Sequence, residues 1–264
     1  DLAAGAAGSW IWGLTIRQPD KVGGRVNIGN SSMLTEPWNP LAGSNWVYDN
    51  MIIRGTGESA AMPDPYTGLF YSQRVKKAEV THLEGLPVTK TLDWVDLKFV
   101  SEITVPEDAW IDWDAKAQKF ITVGEKKPGL TAKTKVVVHY DDNLFRGVKW
   151  HDGSQFSLGD MVMRLILYFD RGKEESTLFD ESQKINVDAF LESFRGLRIV
   201  KENPLVVEYY TDQVYLDAEY VAYDGAAMLW PYYAQGSGAW HNLAVGARAE
   251  VNSELAFSAA KADK

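Results

Sequence analysis

Histidine, aspartate and serine crowd into one short stretch of this chain, Trp150-His151-Asp152-Gly153-Ser154-Gln155-Phe156-Ser157. They are the three residue types of a hydrolytic triad. In a triad the imidazole takes a proton from a serine hydroxyl while a carboxylate orients the ring, and the three groups come from separated loops on a rigid frame. Closeness in sequence does not supply that arrangement. Local physics gives the same residues backbone roles. Asp152-Gly153 is a turn dipeptide, because glycine accepts a positive φ and a short aspartate side chain bonds its own main chain. Ser157 stands three residues before Asp160, at the head of an apolar run containing Met161, Val162, Leu165, Ile166 and Phe169. Ser157 caps the first turn of a helix there, and the Asp160 carboxylate favours that helix N-terminus. The stretch therefore predicts strand, turn and capped helix, with Trp150, Asp152, Ser157 and Asp160 assigned to structure.

Other residue types that do chemistry are scattered. The four histidines, His82, His139, His151 and His241, show no HxxxH or HExxH spacing, so no metal site is expected. No GxxxxGK[ST] and no strand-linked GxGxxG is present to cradle phosphate. Asp112 and Asp114 alternate about Trp113, but the two acids of a glycosidase face each other across a cleft from different elements. On one strand these two share a face, and solvation is the expectation for both. With no cysteine, the chain has no disulfide, no thiolate zinc site and no cysteine nucleophile. The expected protein is not an enzyme and carries no cofactor.

The elements that must position these residues follow from hydrophobic period and turn chemistry. Residues 1–24 read as an edge segment, 25–29 as a short strand, 36–40 as a proline-bounded loop and 45–53 as a helix carrying Trp46 and Tyr48. Strands are predicted over 74–81, 91–100, 119–123 and 134–140, where residues alternate or form β-branched runs. After the helix of 158–170 comes a second over 187–195, where Val187, Phe190, Leu191 and Phe194 keep helical spacing before Gly196. A hairpin joins 197–200 to 205–210 through Glu202-Asn203-Pro204. From 211 onward the pattern thins into loops, with a last helix near 253–262. Strands and helices mix, so the class is α/β or α+β. The expected division is an edge segment 1–24, a first part of one lobe over 25–71, a β-rich subdomain over 72–133 and a second part of the lobe over 134–264.

Composition bounds the rest. A chain of 264 residues that is 45% hydrophobic can bury a real core. A formal charge of −9 opposes a phosphate-tracking surface, and the basic pairs Lys76-Lys77 and Lys126-Lys127 read as solvated loop or strand ends. Nucleic acid is not an expected partner. No apolar stretch approaches the roughly 20 residues of a membrane-spanning helix, and the N-terminal DLAAGAAGSWIWG lacks the basic flank of a signal peptide. Ten tryptophans and twelve tyrosines are more than a core of this size needs. They cluster at Trp10/Trp12, Trp38/Trp46/Tyr48, Trp110/Trp113, Tyr209/Tyr210 and Trp230/Tyr232/Tyr233. Rings with one apolar face and one polar tip suit ligand contact as well as packing.

The stretch from Lys149 to Val162 resembles the signature of the family 5 extracellular solute-binding proteins, the oligopeptide and dipeptide receptors of ABC importers. The common form there is WHDG, a short loop and a helix entered through S/T-x-x-D-V. Further segments are similar in the same order: Gly24-Arg25-Val26-Asn27-Ile28-Gly29 to an early strand, Glu36-Pro37-Trp38-Asn39-Pro40 to a loop, and Asn45-Trp46-Val47-Tyr48-Asp49 to the helix after it. Leu197 to Tyr210 resembles the hairpin downstream, and Trp230-Pro231 a later proline-containing segment. The resemblance implies an α/β periplasmic-binding-protein-like lobe of type II, incomplete, with an inserted β-rich subdomain and truncated before a second lobe. It implies non-catalytic capture of a solute, a peptide foremost, by closure of two lobes. Carried onto this chain it points to Ala42, Gly43, Ser44, Asn45 and Trp46 as ligand contacts, with Phe179 beside them. The implied partners are a peptide or other small-molecule ligand and ABC permease subunits. The implied location is extracellular or periplasmic, with membrane contact only through the permease or an anchor outside this chain. The alternative is a glycan-active hydrolase or a carbohydrate-binding protein using the acidic, tryptophan-rich surface.

Overall fold

Alternation along Thr134–Tyr140 sets the centre of the molecule: Val136, Val138 and Tyr140 are buried on one side, while Lys135, Val137 and His139 are half-buried on the other. Two β-branched side chains sealed from water contribute about 1.5–3 kcal/mol each, enough to fix which side faces the core. A computed structural model describes residues 59–64, 66–233 and 236–262. Among them a short hairpin, β1 (Ala61–Pro63) and β2 (Phe70–Ser72), precedes the main sheet. That sheet is built from β3 (Val75–Leu83), β4 (Val95–Val100), β5 (Trp110–Asp114), β6 (Lys119–Thr122), β7 (Thr134–Tyr140), β8 (Phe194–Glu202) and β9 (Leu205–Thr211). Its seven strands lie in the order β4-β3-β7-β9-β8-β5-β6, with β3 and β4 parallel and the other pairs antiparallel. The fold is mixed α/β around a mixed sheet. Strands from 72–133 and from 134–211 share it.

Seven helices accompany the strands among the described residues: α1 (Val123–Lys126), α2 (Leu144–Gly147), α3 (Leu158–Asp170), α4 (Glu181–Ser193), α5 (Ala218–Ala227), α6 (Trp240–Val251) and α7 (Ala259–Ala262). The larger core joins one sheet face to α3, α4 and α5, with Val80, Val136, Val138, Leu165, Phe169, Leu197, Val207 and Val221 in a single cluster. Gly225 lets α5 lie close on β7, since a Cβ there would stand 3.1 Å from the Val136 side chain. The opposite face is covered in part by the 101–133 segment, whose Ile103, Val105, Ala109 and Ile111 cluster with Tyr210.

Several expectations are corrected. The chain beyond 211 is not mainly loop, because α5 and α6 occupy it. The α5 sequence AEYVAYDGAA buries Ala218, Ala222, Gly225 and Ala226, residues too small to mark a hydrophobic stripe. The helix expected near 253–262 is only Ala259–Ala262, and the one expected over 187–195 begins at Glu181. Asp180 caps the latter by accepting the Ser182 N–H at 2.9 Å, a polar start that the apolar period does not register.

Candidate functional site

The signature stretch folds as backbone chemistry dictates. Lys149 and Gln155 form an antiparallel bridge around the turn, and Gly153 takes φ +86° at its tip. Asp152 Oδ1 accepts from the Ser154 N–H at 2.8 Å and the Ser154 hydroxyl at 2.6 Å. These bonds from Ser154 hold the Asp152 carboxyl below its ordinary value. Its other oxygen lies 3.1 Å from His241 Nε2, at the start of α6. The Asp160 carboxylate accepts the Ser157 N–H at 2.7 Å and hydroxyl at 2.9 Å, as a capping pair does. Asp160, fully buried, also accepts the Trp240 N–H at 2.8 Å, so it serves the first turns of both α3 and α6. His151 is exposed. Asp152, Ser154, Ser157 and Asp160 are bound to backbone and to neighbouring side chains, and the geometry is a clasp between two helix starts.

The nearby aromatic residues pack. Phe156 lies between Trp150, at 5.8 Å between ring centroids, and the buried Trp230, at 5.7 Å. Trp110 stacks on Phe120 at 4.2 Å, and Trp113 meets the same ring edge-on at 4.9 Å. Tyr209 and Tyr210 are both buried.

The proposed ligand contacts Ala42, Gly43, Ser44, Asn45 and Trp46 lie outside the described residues. Phe179 lies within them, half-buried on the segment between α3 and α4, where its N–H donates to the Ser176 carbonyl at 3.2 Å. Buried polar groups fix this segment at both ends. Asp170 accepts Trp113 Nε1 at 2.8 Å and Gln118 Nε2 at 3.1 Å, and also takes the Ser176 hydroxyl. Arg171 bridges Asp180 at 2.6 Å and Glu250 at 2.7 Å, with its guanidinium 4.8 Å from the Phe257 ring centroid. Burial alone would raise the Asp180 carboxyl. Hydrogen bonds from Ser182 and Ser258 and the Arg171 charge outweigh burial and hold it at about 2.

Asp112 corrects the expectation of solvation. It is buried, and its carboxylate meets Lys173 at 2.6 Å and also Lys126. Asp114 forms a local turn with the N–H groups of Lys116 and Ala117. One acid is held by two lysines and the other by a local turn, which is not the cleft-facing pair that a glycosidase requires. Among the described residues no three histidine or acidic groups converge to hold a metal, and no helix is long and apolar enough to cross a membrane.

One concavity does gather charged side chains. A cavity of about 300 Å³ opens where β3, β7 and the β8–β9 hairpin end, lined by Lys76, Lys77, His139, Asp142, Lys201 and Val206 among others. The pair Lys76-Lys77 reads in sequence as a solvated strand end. Nothing in spacing alone brings Lys201, far along the chain, to the same place; only the strand order does. No protein-family model matches the chain, and no curated protein matches it.

Proposed function

We propose that this chain captures a solute, a peptide foremost, for an ABC-type importer, binding without catalysis as one lobe closes on another. The observation that supports the reading is the commitment of Asp152, Ser157 and Asp160 to a turn and to two helix starts. That is the structural part this stretch plays in the resemblance to family 5 solute-binding proteins, and it leaves no hydroxyl nucleophile paired with His151. The mixed α/β sheet is compatible with a lobe of the type II periplasmic-binding-protein kind. In this reading Trp46 and Phe179 offer ring faces to side chains, and backbone groups of 42–45 pair with an extended ligand as an added strand does.

The test is a thermal-shift titration of the chain with short mixed peptides and, separately, with oligosaccharides. A ligand that binds only the native state raises its melting temperature. Peptides are expected to raise it, and Trp46→Ala to remove the rise. A rise with oligosaccharides alone replaces the peptide by a sugar. Hydrolysis of either by the purified chain overturns the reading.

A further inference from the structure

The strand registers place four residues in one row across the sheet: Lys77 of β3 stands opposite His139 of β7, His139 opposite Val206 of β9, and Val206 opposite Lys201 of β8. A β-bulge in β8 sets one end of this row, and a second bulge, in β3, lies next to the other end. In β3 the register shifts between Val75 and Lys77, so Lys76 is the extra residue. In β8 it shifts between Ile199 and Lys201, so Val200 is extra and Lys201 takes the place opposite Val206. An uninterrupted β8 ladder would set Val200 there and turn Lys201 to the other face, because successive side chains alternate. Bulges also bend a strand and increase its twist. One in each flanking strand curls the four-stranded patch into a trough, with lysines at both rims and Val206 on the floor between.

We propose that this trough binds a small organic anion, a carboxylate-bearing molecule whose apolar part rests on Val206 and Pro204. The rims are three strand spacings apart, about 14 Å between backbones. That separation suits an elongated ligand better than a compact ion. Its cations are unequally engaged. Lys76 pairs with Asp142 at 2.8 Å, and Lys77 with Glu79 at 2.9 Å and Asp96 at 3.6 Å. Glu79 also lies 3.2 Å from His139 Nε2. Lys201 has no carboxylate partner among the described residues. It is the charge left to receive an anion, on a protein whose net charge of −9 otherwise repels one.

The experiment is a calorimetric titration of the full chain at low salt with adipate and with inorganic phosphate, repeated on Lys201→Glu and on Lys98→Glu, an exposed β4 lysine outside the trough. Adipate is expected to bind saturably and more tightly than phosphate. Lys201→Glu should weaken it about tenfold, and Lys98→Glu should leave it unchanged. Phosphate binding as tight as adipate would remove the role of the apolar floor. No saturation with adipate, or equal affinity in the wild type and Lys201→Glu, would overturn the site.

Discussion

Asp160 holds the backbone N–H of Trp240 at 2.8 Å, across 80 residues of chain, with the same carboxylate that accepts the Ser157 N–H and hydroxyl. One buried acid thus joins the starts of α3 and α6. Ala239, the residue before α6, has no side chain able to cap, so Asp160 supplies from outside what the local sequence lacks. Asp160→Ala removes a cap from each helix and leaves a partly buried N–H unsatisfied. The expected loss is about 2–4 kcal/mol by denaturant unfolding. Ser157→Ala should cost about 1 kcal/mol, since it touches α3 alone. Equal losses for the two variants would mean that the bond to Trp240 contributes nothing.

The Arg171 network predicts the acid limb of the stability profile. Asp180 has an ordinary carboxyl value near 3.8 and is held at about 2 in the fold. A carboxyl depressed by folding stabilises the native state at pH above its unfolded value, and the stabilisation is lost as pH falls through the folded one. Asp180 should therefore contribute about 2 kcal/mol at neutral pH, disappearing between about pH 4 and pH 2. Unfolding free energy measured across that window should fall less steeply in Asp180→Asn. An unchanged slope would show that Asp180 is not the group responsible.

Particular residues show how far the sequence carried this fold. Val136, Val138 and Tyr140 alternate cleanly, and the hairpin joining 197–200 to 205–210 and the helix of 158–170 follow from local period, turn residues and caps. Helix α5 was hidden because its buried face is mostly alanine and glycine, with Val221 its one bulky apolar residue, a face that works by close approach more than by bulk. Helix α6 was hidden because its capping acid lies in another part of the chain. The place of Lys201 opposite Val206 depends on a bulge, which shifts register by one residue and reverses the facing that alternation predicts, and the burial of Asp112 depends on Lys126 and Lys173. The turn and cap around Asp152 and Asp160, by contrast, are local, and their geometry was legible from residue type alone.

Gly225 offers a test in which two effects oppose. In an exposed helix, Gly→Ala stabilises by about 1 kcal/mol through helix propensity. At Gly225 the added Cβ would sit 3.1 Å from Val136 Cβ and Cγ1, in the buried layer between α5 and β7. Overpacking of that kind costs about 1–3 kcal/mol, so a net loss of about 1 kcal/mol is expected. Val136→Ala removes Cγ1 and should relieve part of the clash. A double-mutant cycle should therefore show Gly225→Ala to be less harmful in the Val136→Ala background. Additive losses would mean that α5 can move away from the sheet without cost.

His82 should make the native state sensitive to mild acid. Its ring is fully buried on β3, with Nδ1 2.8 Å from the Thr134 hydroxyl and Nε2 without a hydrogen-bond partner. The Thr134 hydroxyl is itself 3.3 Å from the Gln213 carbonyl. Burial lowers its pKa from 6.5, the backbone of Lys133 opposing the shift only in part. For a histidine depressed by folding, the unfolded chain takes up a proton first. Native stability is then constant above pH 6.5 and declines as pH falls below it, until the folded value is reached. Unfolding free energy measured from pH 7.5 to pH 5 should show this decline, and His82→Gln, which cannot titrate, should flatten it. A Gln variant that is destabilised overall but keeps the same slope would assign the acid sensitivity to another group.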